Sequence, residues 1–185
     1  MRYAQIRSMD ISNGEGVGVS LFVQGCPLHC KNCFNSDTWD FNGGKEWTEE
    51  IKDRFMKLID RPYIKRVSFL GGECLAEQNL NEVLKLVKEI RISFPKKTIW
   101  LYTGFEWNSL MSKICQPTFP DEKFEHDRNI HMKRQKIISN VDVLVDGEYI
   151  DEQRDVTLRW RGSTNQRVID TKKSLKQGKV VLYCD

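Results

Sequence analysis

Residues 17–34 read Val17-Gly18-Val19-Ser20-Leu21-Phe22-Val23-Gln24-Gly25-Cys26-Pro27-Leu28-His29-Cys30-Lys31-Asn32-Cys33-Phe34. The apolar, β-rich run from Val17 to Val23 predicts a strand that delivers a cysteine loop at its end. Cys26, Cys30 and Cys33 bring three thiols within eight residues, enough to wrap one side of a small metal cluster. The loop holds no fourth cysteine. An iron–sulfur cube bound this way keeps one iron without a thiolate, and an open coordination position marks a reactive site more than a structural one.

Two plainer readings stand beside that one. The same spacing lines one face of a helix, with Pro27 in its first turn, although Gly25, Lys31 and Asn32 make a poor helix. A structural zinc site can take the three cysteines with His29 as fourth ligand, although His29 adjoins Cys30 and simultaneous ligation is strained. A disulfide framework does not suit a chain of 185 residues with half of its six cysteines in one loop. Cys74, Cys115 and Cys184 are scattered and are expected to be buried or incidental thiols.

Working outward, Asn13-Gly14-Glu15-Gly16 predicts a turn before the first strand, and Asn42-Gly43-Gly44 another after the cysteines. Thr48 is positioned to cap a helix running to residue 59, with Ile51, Phe55, Leu58 and Ile59 on one face. Residues 65–70 read as a strand broken by Gly71-Gly72. A helix over about 80–94 carries Val83, Leu84, Val87 and Ile90 and is stopped by Pro95. Residues 98–103 form a strand ending at Gly104, and 105–114 a shorter helix. Residues 116–136 read as loop and charged helix, 141–145 as a strand before Asp146-Gly147. Segments 167–170 and 179–183 flank a polar turn and predict a hairpin.

Strands alternating with helices imply parallel βαβ units. At about 30 residues per unit the chain allows roughly six, short of the eight in a closed barrel of about 250 residues. The expectation is an α/β fold: a single domain over 1–185, a partial, open βα barrel of the TIM type with mainly parallel strands and a C-terminal hairpin tail. Its working end lies beyond the strand C-termini, where the cysteines, Gly71-Gly72-Glu73, Thr103-Gly104 and Asp146-Gly147 all fall. A net charge of +3 with 30% charged residues gives no support for nucleic-acid binding. No apolar stretch approaches the roughly 20 residues of a membrane span. The N-terminus lacks the apolar core of a secretory signal, so a cytoplasmic location is expected.

The CxxxCxxC pattern at the end of a first strand resembles the radical S-adenosylmethionine enzymes. The resemblance implies a 4Fe-4S cluster on Cys26, Cys30 and Cys33, with the methionine amino and carboxylate groups of S-adenosylmethionine on the fourth iron. One electron then splits the sulfonium into methionine and a 5′-deoxyadenosyl radical. Gly71-Gly72-Glu73 resembles the segment that contacts the methionine amino group, with Cys74 where proline is usual. Further segments resemble one branch, the activating proteins of anaerobic ribonucleoside-triphosphate reductase. These are 10–16, 33–39, 99–105, 142–147 and 160–167. That branch implies hydrogen abstraction from a backbone glycine of the reductase large subunit, with a flavodoxin or ferredoxin as reductant. By similarity Asn32, Cys33, Phe34, Gly71, Gly72 and Glu73 line the S-adenosylmethionine site, and no catalytic residue is expected beyond the cluster and its ligands. Thr103 either hydrogen-bonds the ligand or satisfies a local turn, and Asp146 supports the same face or makes an ordinary turn. Arg159, Arg161 and Arg167 are candidates for the ligand carboxylate, a partner surface or plain solvation. Asn32 stands where many members carry an aromatic, and Glu15 and Gly18 replace an expected proline and arginine. The alternatives are a radical enzyme contracting a pterin ring to a deazapurine, and a zinc-stabilised interaction module without turnover.

Overall fold

Side-chain alternation along the central strands sends residues to two different cores. Leu21, Phe69, Leu101 and Leu144 face the helices, while Trp100, Val143, Val145 and Val168 face the other way. These strands belong to one seven-stranded sheet in a computed structural model that describes residues 1–114 and 118–184. The strands are β1 (Arg2–Asp10), β2 (Gly18–Val23), β3 (Lys45–Glu46), β4 (Arg66–Gly71), β5 (Thr98–Tyr102), β6 (Val143–Asp146) and β7 (Arg167–Asp170). Across the sheet the order is β3-β1-β2-β4-β5-β6-β7. The neighbours β2, β4, β5 and β6 pair in parallel, and antiparallel pairings finish both sides.

Parallel neighbours need crossovers. Helix α1 (Glu49–Ile59) joins β2 to β4, and α2 (Glu77–Ser93) joins β4 to β5. The short α3 (Trp107–Leu110) and α4 (Glu122–Ile138) join β5 to β6. Phe55 of α1, Val83 and Val87 of α2 and Ile137 of α4 pack on the helix-facing side of the sheet. The opposite side carries the smaller cluster, where Trp160 and Tyr183 meet the Trp100 ring edge-on at 4.9 and 5.2 Å.

Thr48 caps α1 as expected, its hydroxyl accepting from Ile51 N at 3.3 Å. Helix α2 begins three residues before the expected start, and α3 is one turn rather than the span 105–114. The charged stretch over 116–136 contains α4, which buries only Ile137 and Ile138 at its end. Strand β1 answers no sequence expectation, because most of its residues are exposed or half-exposed and show no clean alternation. The length-based figure of six units meets four parallel strands, since chain at both ends goes into antiparallel edges. The tail also departs from a simple hairpin. Residues 181–183 do run antiparallel to β7, through Asp170 N to Val181 O and Tyr183 N to Val168 O. Between them lies α5 (Thr171–Gln177) instead of a turn, because Asp170 caps it by accepting from Lys173 N at 2.9 Å.

The turn at 11–17 is held from beneath by Arg66, which is fully buried in β4. Its guanidinium donates to the carbonyls of Asp10, Asn13 and Gly16 and lies 3.6 Å from the Asp10 carboxylate. A side chain at Gly18 would meet that guanidinium at 2.8 Å, so glycine there is a packing requirement. Burial pushes the Asp10 carboxyl up, but the nearby Ser20 hydroxyl and hydrogen bonds from the Asn13 side chain and the Ser12 and Asn13 amides outweigh it and hold the pKa at about 2. A depressed carboxylate contributes stability above its unfolded pKa, and that stability is lost as pH falls through the folded value. Urea unfolding should therefore lose about 2 kcal/mol between pH 3.8 and about 2 from this group. Asp10→Asn should flatten that part of the profile while lowering stability at neutral pH, because Arg66 is left without its counter-charge.

Candidate metal centre and ligand cavity

The cysteine loop leaves β2 through Gly25, at φ +95°, where a Cβ would stand 2.1 Å from the Phe41 ring. Its amide donates to Thr38 O and that of Cys26 to Trp39 O, folding residues 24–40 back on themselves. The buried Gln24 side chain adds bonds to the carbonyls of Asp37 and Asp40. His29 and Asn32, at φ +50° and +54°, turn the chain just before Cys30 and Cys33. Two left-handed residues break any helix across the cysteines, which removes the helix-face reading. Asparagine tolerates this conformation better than most residues, so Asn32 suits its backbone. Its amide donates to Asp151 at 2.7 Å, and Lys31 beside it pairs with Glu152 at 2.7 Å.

Cys26, Cys30 and Cys33 are free thiols on the wall of one cavity of about 570 Å³. Burial raises the pKa of Cys26 and of Cys30, and the nearby Glu148 carboxylate adds to the effect at Cys30. The Cys33 sulfur accepts from Asn35 N at 3.4 Å, a contact of the kind that tunes cluster ligands. Three thiols from one fixed loop sharing one wall fit a cluster with three protein ligands. In the zinc reading His29 would be the fourth ligand, and here its ring is stacked on Trp39 at 4.7 Å.

The second wall is the lip at 71–73. Gly72 N donates to Val23 O and Glu73 N to Gly25 O, at 2.9 and 2.8 Å, so this lip is joined directly to the root of the cysteine loop. A Cβ on Gly72 would stand 2.4 Å from Gly25 O. The glycine is needed first for this main-chain approach. Asn79 of α2 reinforces the joint by donating to both Gln24 O and Glu73 O. The Glu73 carboxylate is buried and accepts from Leu75 N, Thr103 Oγ1 and Gly104 N, each at 2.8 Å. Burial raises its pKa against the pull of those donors. Glu73 thus ties the end of β4 to the end of β5.

Cys26, Cys30, Cys33, Phe34, Gly71, Gly72, Glu73 and Thr103 all line the cavity. Asn32 does not, since its side chain is turned away to Asp151. The Thr103 hydroxyl serves its turn, donating to Glu73 and accepting from Phe105 N at 3.1 Å. Phe34 is 62% exposed and packs against Tyr149 at 5.1 Å, beneath the Arg154 guanidinium. Asp146 accepts from Trp107 N and from Arg167, so neither it nor Arg167 is on the wall. Arg161 is on the wall, with Trp160, Gly162 and Tyr102. Tyr102 was not singled out from the sequence, although alternation from Trp100 along β5 puts it on the same face, and no local pattern announced the wall at 155–162. Cys74 is buried in the helix-facing core, Cys184 packs beside the Trp100 cluster, and Cys115 lies outside the described residues.

The family described as a 4Fe-4S single cluster domain matches residues 12–169. Relatives extend over most of the chain. The anaerobic ribonucleoside-triphosphate reductase-activating protein of Vibrio cholerae is 36% identical over 168 residues, covering 90% of this chain and 96% of the relative. That of Escherichia coli K12 is 35% identical over 170 residues, with 91% and 97% covered. The phage T4 protein of the same name is 33% identical over 168 residues, with 91% and 93% covered. The chain belongs to the family of anaerobic ribonucleoside-triphosphate reductase-activating proteins.

Two substitutions test the loop geometry. Gly72→Ala should part the lip from Gly25 O and lower iron retention after reconstitution, with the far-ultraviolet circular dichroism little changed. Asn32→Gly should preserve iron retention, whereas Asn32→Val should cost about 1–2 kcal/mol of stability, because a β-branched residue resists positive φ.

Proposed function

We propose that this chain activates an anaerobic ribonucleoside-triphosphate reductase by carrying a 4Fe-4S cluster on Cys26, Cys30 and Cys33 beside bound S-adenosylmethionine. The observation that carries this reading is the shared cavity: the three thiols and the Gly71–Glu73 lip form adjoining walls welded by main-chain hydrogen bonds. The relatives' printed name supplies the target, and the family description supplies the cluster type. When bound, the cluster supplies the electron that cleaves the sulfonium to a deoxyadenosyl radical, which takes hydrogen from a backbone glycine of the reductase.

The chain's own residues hold and enclose. The left-handed turns at His29 and Asn32 aim the second and third thiols. Glu73 keeps the β4 and β5 ends together, which fixes the cavity's width. Gly71 and Gly72 leave main chain uncovered at the lip, and Phe34 presents an aromatic face at the mouth that suits a purine ring. The wall from 155 to 162 covers the side of the sheet away from α1, α2 and α4 and limits water around a reactive radical. In this reading the four parallel strands form a partial, open barrel with the cavity on its inner side, and residues 1–185 act as one unit. A flavodoxin or ferredoxin is the proposed electron donor, and the cytoplasm the proposed compartment. Among the described residues no helix is long and apolar enough to cross a membrane.

Anaerobic reconstitution should give about four irons and four sulfides per chain, as one cubane requires. The reduced protein should cleave S-adenosylmethionine and, with the reductase large subunit, give a glycyl radical by electron paramagnetic resonance. Cys30→Ala should lower cleavage by more than the roughly 10–100-fold typical of outer-sphere partners. Cleavage that survives in that variant, or a wild type that never transfers the radical, refutes the assignment.

A further inference from the structure

The cavity has a second polar region that neither the cluster nor the lip uses. Tyr102 closes β5 on the face away from α1, α2 and α4, and its side chain lines the cavity. Its hydroxyl oxygen is buried and has no hydrogen-bond partner among the described residues. Arg161, on the same wall, leaves its Nε without an acceptor, while its Nη1 is spent on Gln166 O at 3.0 Å. A buried donor without an acceptor is costly, and native proteins keep few of them. Burial raises the Tyr102 phenol well above the ordinary tyrosine range, so the group is a neutral hydrogen-bond donor at physiological pH.

Position separates this region from the thiols. The charged or ionisable groups that reach the phenol are Arg66, Asp10 and Cys184. These lie under the 11–17 turn and along the C-terminal segment, and none of them belongs to the cysteine loop. Ser12 and Asn13 of that turn also line the cavity, which therefore extends from the thiols down the face of the sheet. A ligand on the open iron occupies the thiol end. What enters the other end has to be recognised by hydrogen-bond donors.

We propose that Tyr102, on the cavity wall that also carries Arg161, is a substrate-contact residue whose hydroxyl donates to a main-chain carbonyl of the glycine-bearing segment of the reductase. The inference rests on the activase reading above and names how the target is held. A glycine offers no side chain to read, so a pocket selecting it must bind the flanking peptide carbonyls. Donors with no acceptor inside the protein suit that task. A hydrogen bond lost there leaves a carbonyl of the segment unpaired in a buried site, which weakens capture without touching the sulfonium chemistry.

Tyr102→Phe removes one oxygen and no packing volume. Because that oxygen has no internal partner, the ligand-free variant should melt at or above the wild-type temperature. A clear loss of thermal stability would reveal a structural role and overturn the proposal. In the reconstituted enzyme, S-adenosylmethionine affinity and cleavage without the reductase should match wild type. The KM for the reductase large subunit in glycyl-radical formation should rise about tenfold, the effect of one buried hydrogen bond, with kcat little changed. Weakened S-adenosylmethionine binding with an unchanged reductase KM would assign the hydroxyl to the nucleoside instead, and no change in either would show that it contacts neither; both refute the inference. A wild type that forms no glycyl radical fails at an earlier arm and sinks the activase reading itself.

Discussion

Two main-chain hydrogen bonds hold the site in one piece: Gly72 N to Val23 O and Glu73 N to Gly25 O. They form only because residue 72 has no Cβ, which would otherwise sit 2.4 Å from the Gly25 carbonyl. Through them the loop that carries the thiols becomes an extension of β4 as well as of β2. Asn79 adds α2 to the joint, and the Glu73 carboxylate carries it on to Thr103 and Gly104 at the end of β5. A metal centre with one open position needs ligands that do not drift, and here their root is tied to three successive elements of the fold. The cost is a buried carboxyl group, offset by three hydrogen-bond donors.

The sheet divides the work between its faces. The side under α1, α2 and α4 is a conventional apolar core and contributes most of the buried hydrophobic surface. The other side lies away from α1, α2 and α4 and holds the cavity, closed at one end by the Arg66-bound turn and along its flank by residues 155–162. That flank is fastened differently from the rest. Asn32 to Asp151 and Lys31 to Glu152 are exposed polar contacts, each weak in water. Trp160 sits at φ +59°, an uncommon conformation for a bulky side chain, with its ring held against Trp100 and Tyr183. The thiol wall is thus tied to the sheet by main-chain hydrogen bonds, and the opposite wall by hydrogen bonds within its own loop and by aromatic packing on Trp100.

Much of this was visible in the residues. The strand read over 17–23, the capped helix after Thr48 and the glycine pair at the end of β4 each rest on a local pattern, and each appears in the structure, the strand one residue shorter. The three thiols share a cavity wall as their spacing suggested. Strand β1 was not visible, because its residues are stabilised by pairing with β2 and β3 rather than by a buried alternating face. Helix α5 was read as a turn because its seven residues hold one apolar side chain, Leu175, and so carry little period, and what settles it is the Asp170 cap. Asn32 and Glu73 are adjacent to the chemistry in sequence, yet their side chains are committed to Asp151 and to Thr103 with Gly104. A residue's neighbours along the chain do not say which way its side chain turns.

By itself the sequence determined the strand–loop–strand order, the thiol spacing and the glycines, since these follow from local conformational preference and from donor chemistry. It also determined the family, through motifs spread over nearly the whole chain. Only the tertiary structure decided what closes the cavity, which carboxylates are structural ties, and where a phenol such as Tyr102 is left without a partner. Those outcomes depend on contacts between residues far apart in the chain, and burial rather than residue type sets their energetics.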